Sequence, residues 1–459
     1  MSNIEKETTH IIEENKRSNN KDLDFRKESE ALIDFIAKSP SPYHVIDNVR
    51  SLLSYNNMTE LSEGGRWKLE AGHSYYVVRG MSSIIAFTMP QTSEYKGYNI
   101  VASHSDSPSF KIKENPQMPG DSHYVSLNVE KYGGMIMSTW LDRPLSVAGR
   151  AVVADDDGVK EYLVNADKDL VVIPNLAIHM NRNINDGNTF NAQKDMIPVF
   201  GDENAKDKFD DYIRSQISAV SGTQSANIDN GADVTTELFL YNRERGTIWG
   251  YNDEFISAPR LDDIQCAYSS VEAFVRAGNN QCTPYVNVCC IFNNEEVGST
   301  TRQGADSTFL SDVLERISIA SGMDREAYLM SLSSSFMISA DNAHAVHPNH
   351  QEKADPTNKP YMNGGIVIKF NGNQKYTTDA VSYAVFKNIC RKAGVPYQTY
   401  ANRSDIAGGS TLGNISNSHI SINTVDIGLA QLAMHSAYET AGVKDTGYMI
   451  ASLSEFYKR

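Results

Sequence analysis

Apolar side chains recur every three to four positions in several stretches, the signature of helices with one buried face. Phe25, Leu32, Phe35 and Ile36 set the first. Ser39-Pro40-Ser41-Pro42 stops it. Ser41 can then cap a second helix, with Pro42 in its first turn and Val45, Val49, Leu52 and Leu53 along its buried stripe. Short apolar runs at Tyr75 to Val78, Ser83 to Thr88 and Tyr98 to Ser103 predict strands, the first two joined by a turn at Gly80. The same mixture resumes after Phe255. Helices are predicted around Ala267, Val271 and Phe274, around Phe309, Val313 and Ile317, and around Ala380, Ala384 and Ile389. Strands are predicted at Tyr285 to Phe292, Phe336 to Ala340, Gly364 to Asn371 and Ile420 to Ile427.

Between about Ser107 and Tyr251 strand-like runs dominate instead. Leu145 to Ala154 and Val159 to Val164 flank the turn Asp155-Asp156-Asp157-Gly158, and Leu170 to Ile173 follows. Glu203 to Asn230 is polar and reads as a surface loop or mobile segment. The expected fold is therefore α/β, a mixed but largely parallel sheet with helices on both faces, interrupted by a β-rich insert. The α/β domain takes residues 21–106 and 252–459, the insert 107–251, and residues 1–20 form a flexible tail.

A net charge of −15 argues against nucleic acid and anionic membranes as partners. Five cysteines without a CxxC spacing indicate a reduced compartment rather than a disulfide framework. No apolar run has the length of a membrane span and the start of the chain is polar, so a cytoplasmic location is expected.

The candidate chemistry gathers at predicted strand ends, where α/β sheets bind ligands. The Tyr285 strand runs into Glu295 and Glu296. Alone, such a pair is solvated surface. On an extended segment, however, neighbouring side chains face opposite ways, so one glutamate could hold a metal and the other act as a base. His104 and Asp106 close the Tyr98 strand, Asp262 precedes a helix, Asp341 closes the Phe336 strand, and His435 follows the last one. Singly, each reads as a cap, a turn residue or an exposed histidine. Together, two histidines and three carboxylates suit two divalent ions, zinc first, with cobalt or manganese as alternatives. Asp262 is the natural bridge, since the other four ligands then divide evenly. Asp106 can accept the second ring N–H of His104 and fix its tautomer. His344, His347 and His350 look like a ligand ladder, but Pro348 breaks the helix that would align them, leaving a supporting or interface role.

Several motifs carry a family resemblance: Ser39-Pro40-Ser41-Pro42-Tyr43-His44, His104-Ser105-Asp106-Ser107-Pro108, Ser138 to Arg143, Asn293 to Ser299, Ser339 to Pro348 and Ala433 to Ser436. In this order, and over nearly the whole chain from about Leu32, they resemble aspartyl aminopeptidase and aminopeptidase I, which are dinuclear-metal exopeptidases. The resemblance implies that His104 and Asp341 hold one metal, Glu296 and His435 the other, that Asp262 bridges, and that Glu295 is the general base. It implies a dimer built by the insert, dimers assembling into a dodecamer, and His179 reaching the neighbouring subunit's site to steady the tetrahedral intermediate. It places Lys369 near the pocket for the substrate's first side chain. Thr300 to Gly304 is more like the aminopeptidase I branch, which prefers neutral apolar first residues, so acidic and neutral apolar preferences both stand.

The expected activity is removal of N-terminal residues from peptides by metal-activated water. Two other readings remain open from the sequence. A glycoside hydrolase needs two carboxyls flanking the scissile bond on opposite sides, which adjacent glutamates do not suggest. A non-catalytic, shell-forming scaffold of the same fold needs no complete set of ligands.

Overall fold

The computed structural model describes residues 24–92, 94–118, 123–155, 158–220, 233–278 and 283–459. The tail expected at 1–20 lies outside them. Among the described residues there are three sheets. The central one has nine strands, in spatial order β1 (Thr59–Glu60), β2 (Ser74–Arg79), β3 (Ser83–Thr88), β14 (Tyr285–Phe292), β4 (Gly97–His104), β15 (Phe336–Ala340), β19 (Asn423–Gly428), β17 (Ile366–Phe370) and β18 (Tyr397–Ala401). Its middle, β14–β4–β15–β19, is parallel, while β2–β3, β3–β14 and β17–β19 are antiparallel.

Alternation along the central strands explains the layers. In β14, Cys289 and Ile291 face one side, with the helices Phe25–Ala37, Pro42–Tyr55, Leu261–Ala277, Ala380–Ala393 and Asp445–Phe456. Val288, Cys290 and Phe292 face the other, with Phe309–Ala320, Arg325–Ser333 and Leu412–Ser416. Both faces are dry, so these strands read as continuous apolar runs rather than alternating ones. The last predicted strand is shorter than expected: Ile420 and Ile422 are buried ahead of β19, in a loop.

The insert is a closed barrel. The strands β11 (Asp233–Asn242), β5 (Ser109–Gln117), β6 (Tyr124–Tyr132), β10 (Val199–Asp202), β9 (Val171–Val172) and β7 (Pro144–Asp155) pair in that order. The ring closes because β11 also pairs with β7 over its whole length. β8 (Gly158–Asn165) lies outside, on β7. Part of the expected loop at Glu203 to Asn230 is a helix, Phe209–Val220. Phe209, Ile213 and Ile217 recur at helical spacing and pack into the barrel core, a stripe hidden by polar neighbours. Residues 221–230 lie outside the described set.

The third sheet, of short strands, joins the halves: β12 (Thr247–Trp249), β13 (Phe255–Ala258), β21 (Glu439–Gly442), β20 (Ala430–Leu432) and β16 (Ala343–His344). Among the described residues no helix is long and apolar enough to cross a membrane.

Candidate metal centre

Strand register aligns the functional side chains. Phe292 pairs with His104 across β14 and β4, and Ser339 pairs with Ala102 across β15 and β4. The residues just past these strand ends therefore meet at one edge. His104 Nε2 lies 3.9 Å from both Asp262 Oδ1 and Asp341 Oδ1. His435 Nε2 lies 3.2 Å from Asp262 Oδ2 and 3.4 Å from Glu296 Oε2. The two oxygens of Asp262 thus face different histidines. Glu295 and Glu296 share a further cluster with His104.

The glutamates are not on an extended segment, as their position after a strand suggested. They occupy a single 3₁₀ turn, Glu295–Val297, preceded by Asn294 in the left-handed region at φ 61°. Asp106 imposes the turn. Its carboxylate accepts the amide N–H of Glu295 at 3.1 Å and that of Glu296 at 3.2 Å, and the Tyr132 hydroxyl at 2.6 Å. The nearest acceptor for His104 Nδ1 is accordingly the Asp106 main-chain carbonyl, at 3.1 Å, with the carboxylate at 3.4 Å.

Asp263, adjacent to Asp262 through a cis peptide, was not singled out from the sequence. It is buried, accepts the His104 amide at 3.2 Å and lies 3.8 Å from His104 Nε2. Glu439 was missed too. It accepts the amides of Asp262 at 3.0 Å and His435 at 2.6 Å, so it holds the backbone of both. Glu439 acts on main-chain groups, which no motif records, whereas Asp263 also joins His104, Asp262 and Asp341 in one metal-competent cluster.

The electrostatics call for cations. Burial pushes the Glu295 carboxyl up to about 8, with Asp341, Asp106 and Asp262 adding to the rise and His104 opposing it. Burial and Asp262 hold Glu296 well above the usual carboxylate range. Burial also works against charge on His104 and His435, yet the surrounding carboxylates outweigh it, raising His104 well above its ordinary value and His435 to about 9. Asp341 is the exception: burial is overcome by Lys369 and His104, and it sits at about 2. Asp262 Oδ1 and Glu296 Oε1 are buried without any hydrogen-bond partner. Orphaned, buried carboxylate oxygens are costly, and a cation among them supplies the missing partner. The donor set of imidazole and carboxylate fits zinc.

A family description confirms the class. Residues 35–457 match the model for the aminopeptidase I zinc metalloproteases, M18. The chain belongs to the M18 aminopeptidase family. It is 47% identical over 439 residues to a probable M18 family aminopeptidase 2 of Clostridium acetobutylicum, covering 95% of this chain and 99% of that one. It is 36% identical to aspartyl aminopeptidase 1 of Schizosaccharomyces pombe, with 93% of each covered. Among solved structures it is similar to a complex of Ape4 and Nbr1 seen by cryo-electron microscopy, with TM-score 0.89, 35% identity and coverage of 95% of this chain and 86% of that one. It is also similar to the S. cerevisiae mApe1 dodecamer, with TM-score 0.81, 27% identity and coverage of 95% and 98%. The protein is thus a metalloaminopeptidase of the M18 family.

The remaining predicted residues of this M18 aminopeptidase fall elsewhere. Lys369 is fully buried. Its ammonium donates to the carbonyls of Asp341 at 2.7 Å and Asn342 at 3.3 Å, and lies 3.4 Å from Asp341 Oδ2. His179 is exposed on a barrel loop, beside the exposed Leu176, Ile178 and Met180, and joins none of the metal-competent clusters among the described residues. His344, His347 and His350 line a cleft of about 740 Å³ with Lys353, Tyr400 and Arg403. They are absent from those clusters as well.

Proposed function

We propose that this M18 aminopeptidase hydrolyses the first peptide bond of its substrates at a two-zinc centre. His104 and Asp341 hold one ion, Glu296 and His435 the other, Asp262 bridges, and Glu295 is the general base. The observation that carries this reading is the splayed carboxylate of Asp262, one oxygen toward His104 and Asp341, the other toward His435 and Glu296. Two donors on one tetrahedral zinc, each about 2.0–2.2 Å from it, lie roughly 3.3–3.6 Å apart. The observed gaps of 3.2 to 3.9 Å bracket that separation.

Bound zinc supplies Lewis acidity to the scissile carbonyl and to water. Glu295 takes a proton of the attacking water on a carboxylate oxygen and passes it to the leaving amine. Its buried setting raises proton affinity, while neighbouring cations favour the charged form, a balance that suits a group cycling between both states. Lys369 keeps Asp341 ionised. His179 of a second copy contributes to the intermediate. The exposed apolar side chains around His179 support a dimer interface there, and the mApe1 dodecamer supports a homo-oligomer of dimers. The favoured first residue is acidic, in keeping with the aspartyl aminopeptidase relative, with neutral apolar residues as the rival class. Location in the cytoplasm accords with the free, buried Cys266, Cys289, Cys290 and Cys390, which suit a reducing compartment.

The test combines chelation with Glu295→Gln. Chelator should abolish activity and zinc restore it, whereas a glycoside hydrolase using carboxylates alone would be indifferent. Glu295→Gln should lower kcat by at least ~10²-fold, the low end for general acid–base catalysis, with metal content intact. Near-normal turnover in the metal-replete variant would refute the base assignment, and an inert wild type would favour the scaffold.

A further inference from the structure

The barrel does more than carry a surface. Where β6 ends, its chain passes along the metal centre as a strap, from Tyr132 to Ile136. The Tyr132 hydroxyl donates to Asp106 Oδ2 at 2.6 Å and accepts from Asn294 Nδ2 at 2.9 Å. Gly133, at φ +75°, abuts Glu296 so closely that an added Cβ would stand 3.1 Å from the Glu296 Cβ. The Gly134 carbonyl lies 2.5 Å from His435 Nδ1, and the Ile136 amide donates to the His435 carbonyl at 3.0 Å. The strap therefore touches the carriers of the base and of two ligands, all within one chain.

We propose that Tyr132 is a positioning residue for the catalytic turn, acting through Asp106. Asp106 holds the turn by accepting the amides of Glu295 and Glu296. Those two amides, one on each oxygen, both come from the turn that the carboxylate must hold, so they tie Asp106 to the turn but not to the rest of the fold. Tyr132 supplies a further donor from outside the turn, on Oδ2, and anchors the carboxylate to the barrel. Its second bond, from Asn294, grips the residue whose left-handed backbone starts the turn. The tyrosine is itself fixed by the barrel: it is buried, and its ring meets Phe239 of β11 edge-on at 5.3 Å. The line of support runs from barrel core to Tyr132, to Asp106, to the Glu295 amide. In this arrangement the insert completes the catalytic centre of its own chain.

This inference rests on Glu295 as the base, and the experiment separates the two. Tyr132→Phe, Glu295→Gln and the double variant are compared for kcat, KM, zinc content and thermal melting on one aminoacyl substrate. Tyr241→Phe serves as control, because it also removes a barrel hydroxyl bond, to Asn165 Oδ1 at 2.7 Å, away from the turn. Tyr132→Phe should lower kcat about ten-fold, as expected on losing a hydrogen bond to a charged group, with KM within about two-fold and zinc unchanged. Tyr241→Phe should leave kcat unchanged. In the Glu295→Gln background, Tyr132→Phe should cause no further fall, since a shared path makes the losses non-additive. An unaltered kcat in Tyr132→Phe, a fully additive fall, loss of zinc, or an equal fall in Tyr241→Phe overturns the positioning role. A Glu295→Gln enzyme that keeps its activity overturns the base assignment instead.

Discussion

The Lys369 ammonium has three oxygen neighbours, two carbonyls and the Asp341 carboxylate, and it also lies over the Tyr376 ring. From the sequence it looked like a residue for the substrate's first side chain, or one whose head reaches solvent. Full burial removes the second option. Its partners change the prediction for Lys369→Met. Stripping one member from a buried charge pair leaves the other uncompensated, at a cost of about 3–5 kcal/mol. The Asp341 carboxyl, held at about 2 by Lys369 and His104, should rise and compete less well for zinc. The expected outcome is weaker zinc retention in competition with a chelator, accompanied by reduced discrimination between Asp, Glu and Leu substrates. Unchanged zinc affinity with lost acidic preference would return Lys369 to a pocket role alone. The clustering of His104, Asp262, Glu296, Asp341 and His435 was legible because strand-end acids and histidines are unusual together. Asp263, Glu439 and Tyr132 were not, because their partners are backbone amides and another carboxylate, brought together only by folding.

At the scale of elements, the central strands and five of the helices flanking them followed from apolar spacing, whereas the helices Arg325–Ser333, Leu412–Ser416 and Asp445–Phe456 and the barrel's closure did not. Alternation tells which side of a strand is buried but not which edges meet, and here β11 meets both β5 and β7. The helix Pro42–Tyr55 shows how a correct element can have a different detail. Ser41 stands at its N-cap, but the hydroxyl bonds the His44 ring, Oγ to Nδ1 at 2.8 Å, and caps no amide. Burial, with Arg260 adding repulsion, pushes His44 down to about 4. A protonated ring in the first turn would also oppose the helix dipole. The sign follows directly. The unfolded chain binds a proton at His44 below about pH 6.5, the folded chain only below about 4, so stability falls with acidification across that window. Saturation at the lower end costs up to about 3 kcal/mol, from roughly 1.4 kcal/mol per pH unit. Urea midpoints of wild type and His44→Asn should therefore converge, or cross in favour of the variant, between pH 7 and 4.5. Parallel curves would show that His44 titrates alike in both states.

For the whole molecule, charge and apolar surface pull in opposite directions. Copies of a chain with net charge −15 repel one another, but exposed charges are screened beyond about 8 Å at physiological salt. Association must then come from apolar contact, and the loop bearing His179 offers Leu176, Ile178 and Met180, which are 52%, 48% and 74% exposed. Exposed apolar side chains clustered on one loop mark an interaction surface. Among the described residues His179 belongs to none of the metal-competent clusters, and the catalytic role proposed for it lies across an interface. Complementation decides this. Chains carrying Glu295→Gln retain His179, and chains carrying His179→Ala retain the proposed base, so a mixed two-fold dimer has one site with both groups intact and one with neither. Co-expression in equal amounts makes about half the dimers mixed, and activity should recover to about a quarter of wild type if the interface is isologous. Either variant alone should stay well below that level. Verified mixed oligomers without recovery would place His179 within its own chain's site or outside the chemistry. Met180→Glu gives an independent check, because burying that charge between subunits should dissociate the dimer and remove activity while the barrel and metal content of each chain persist.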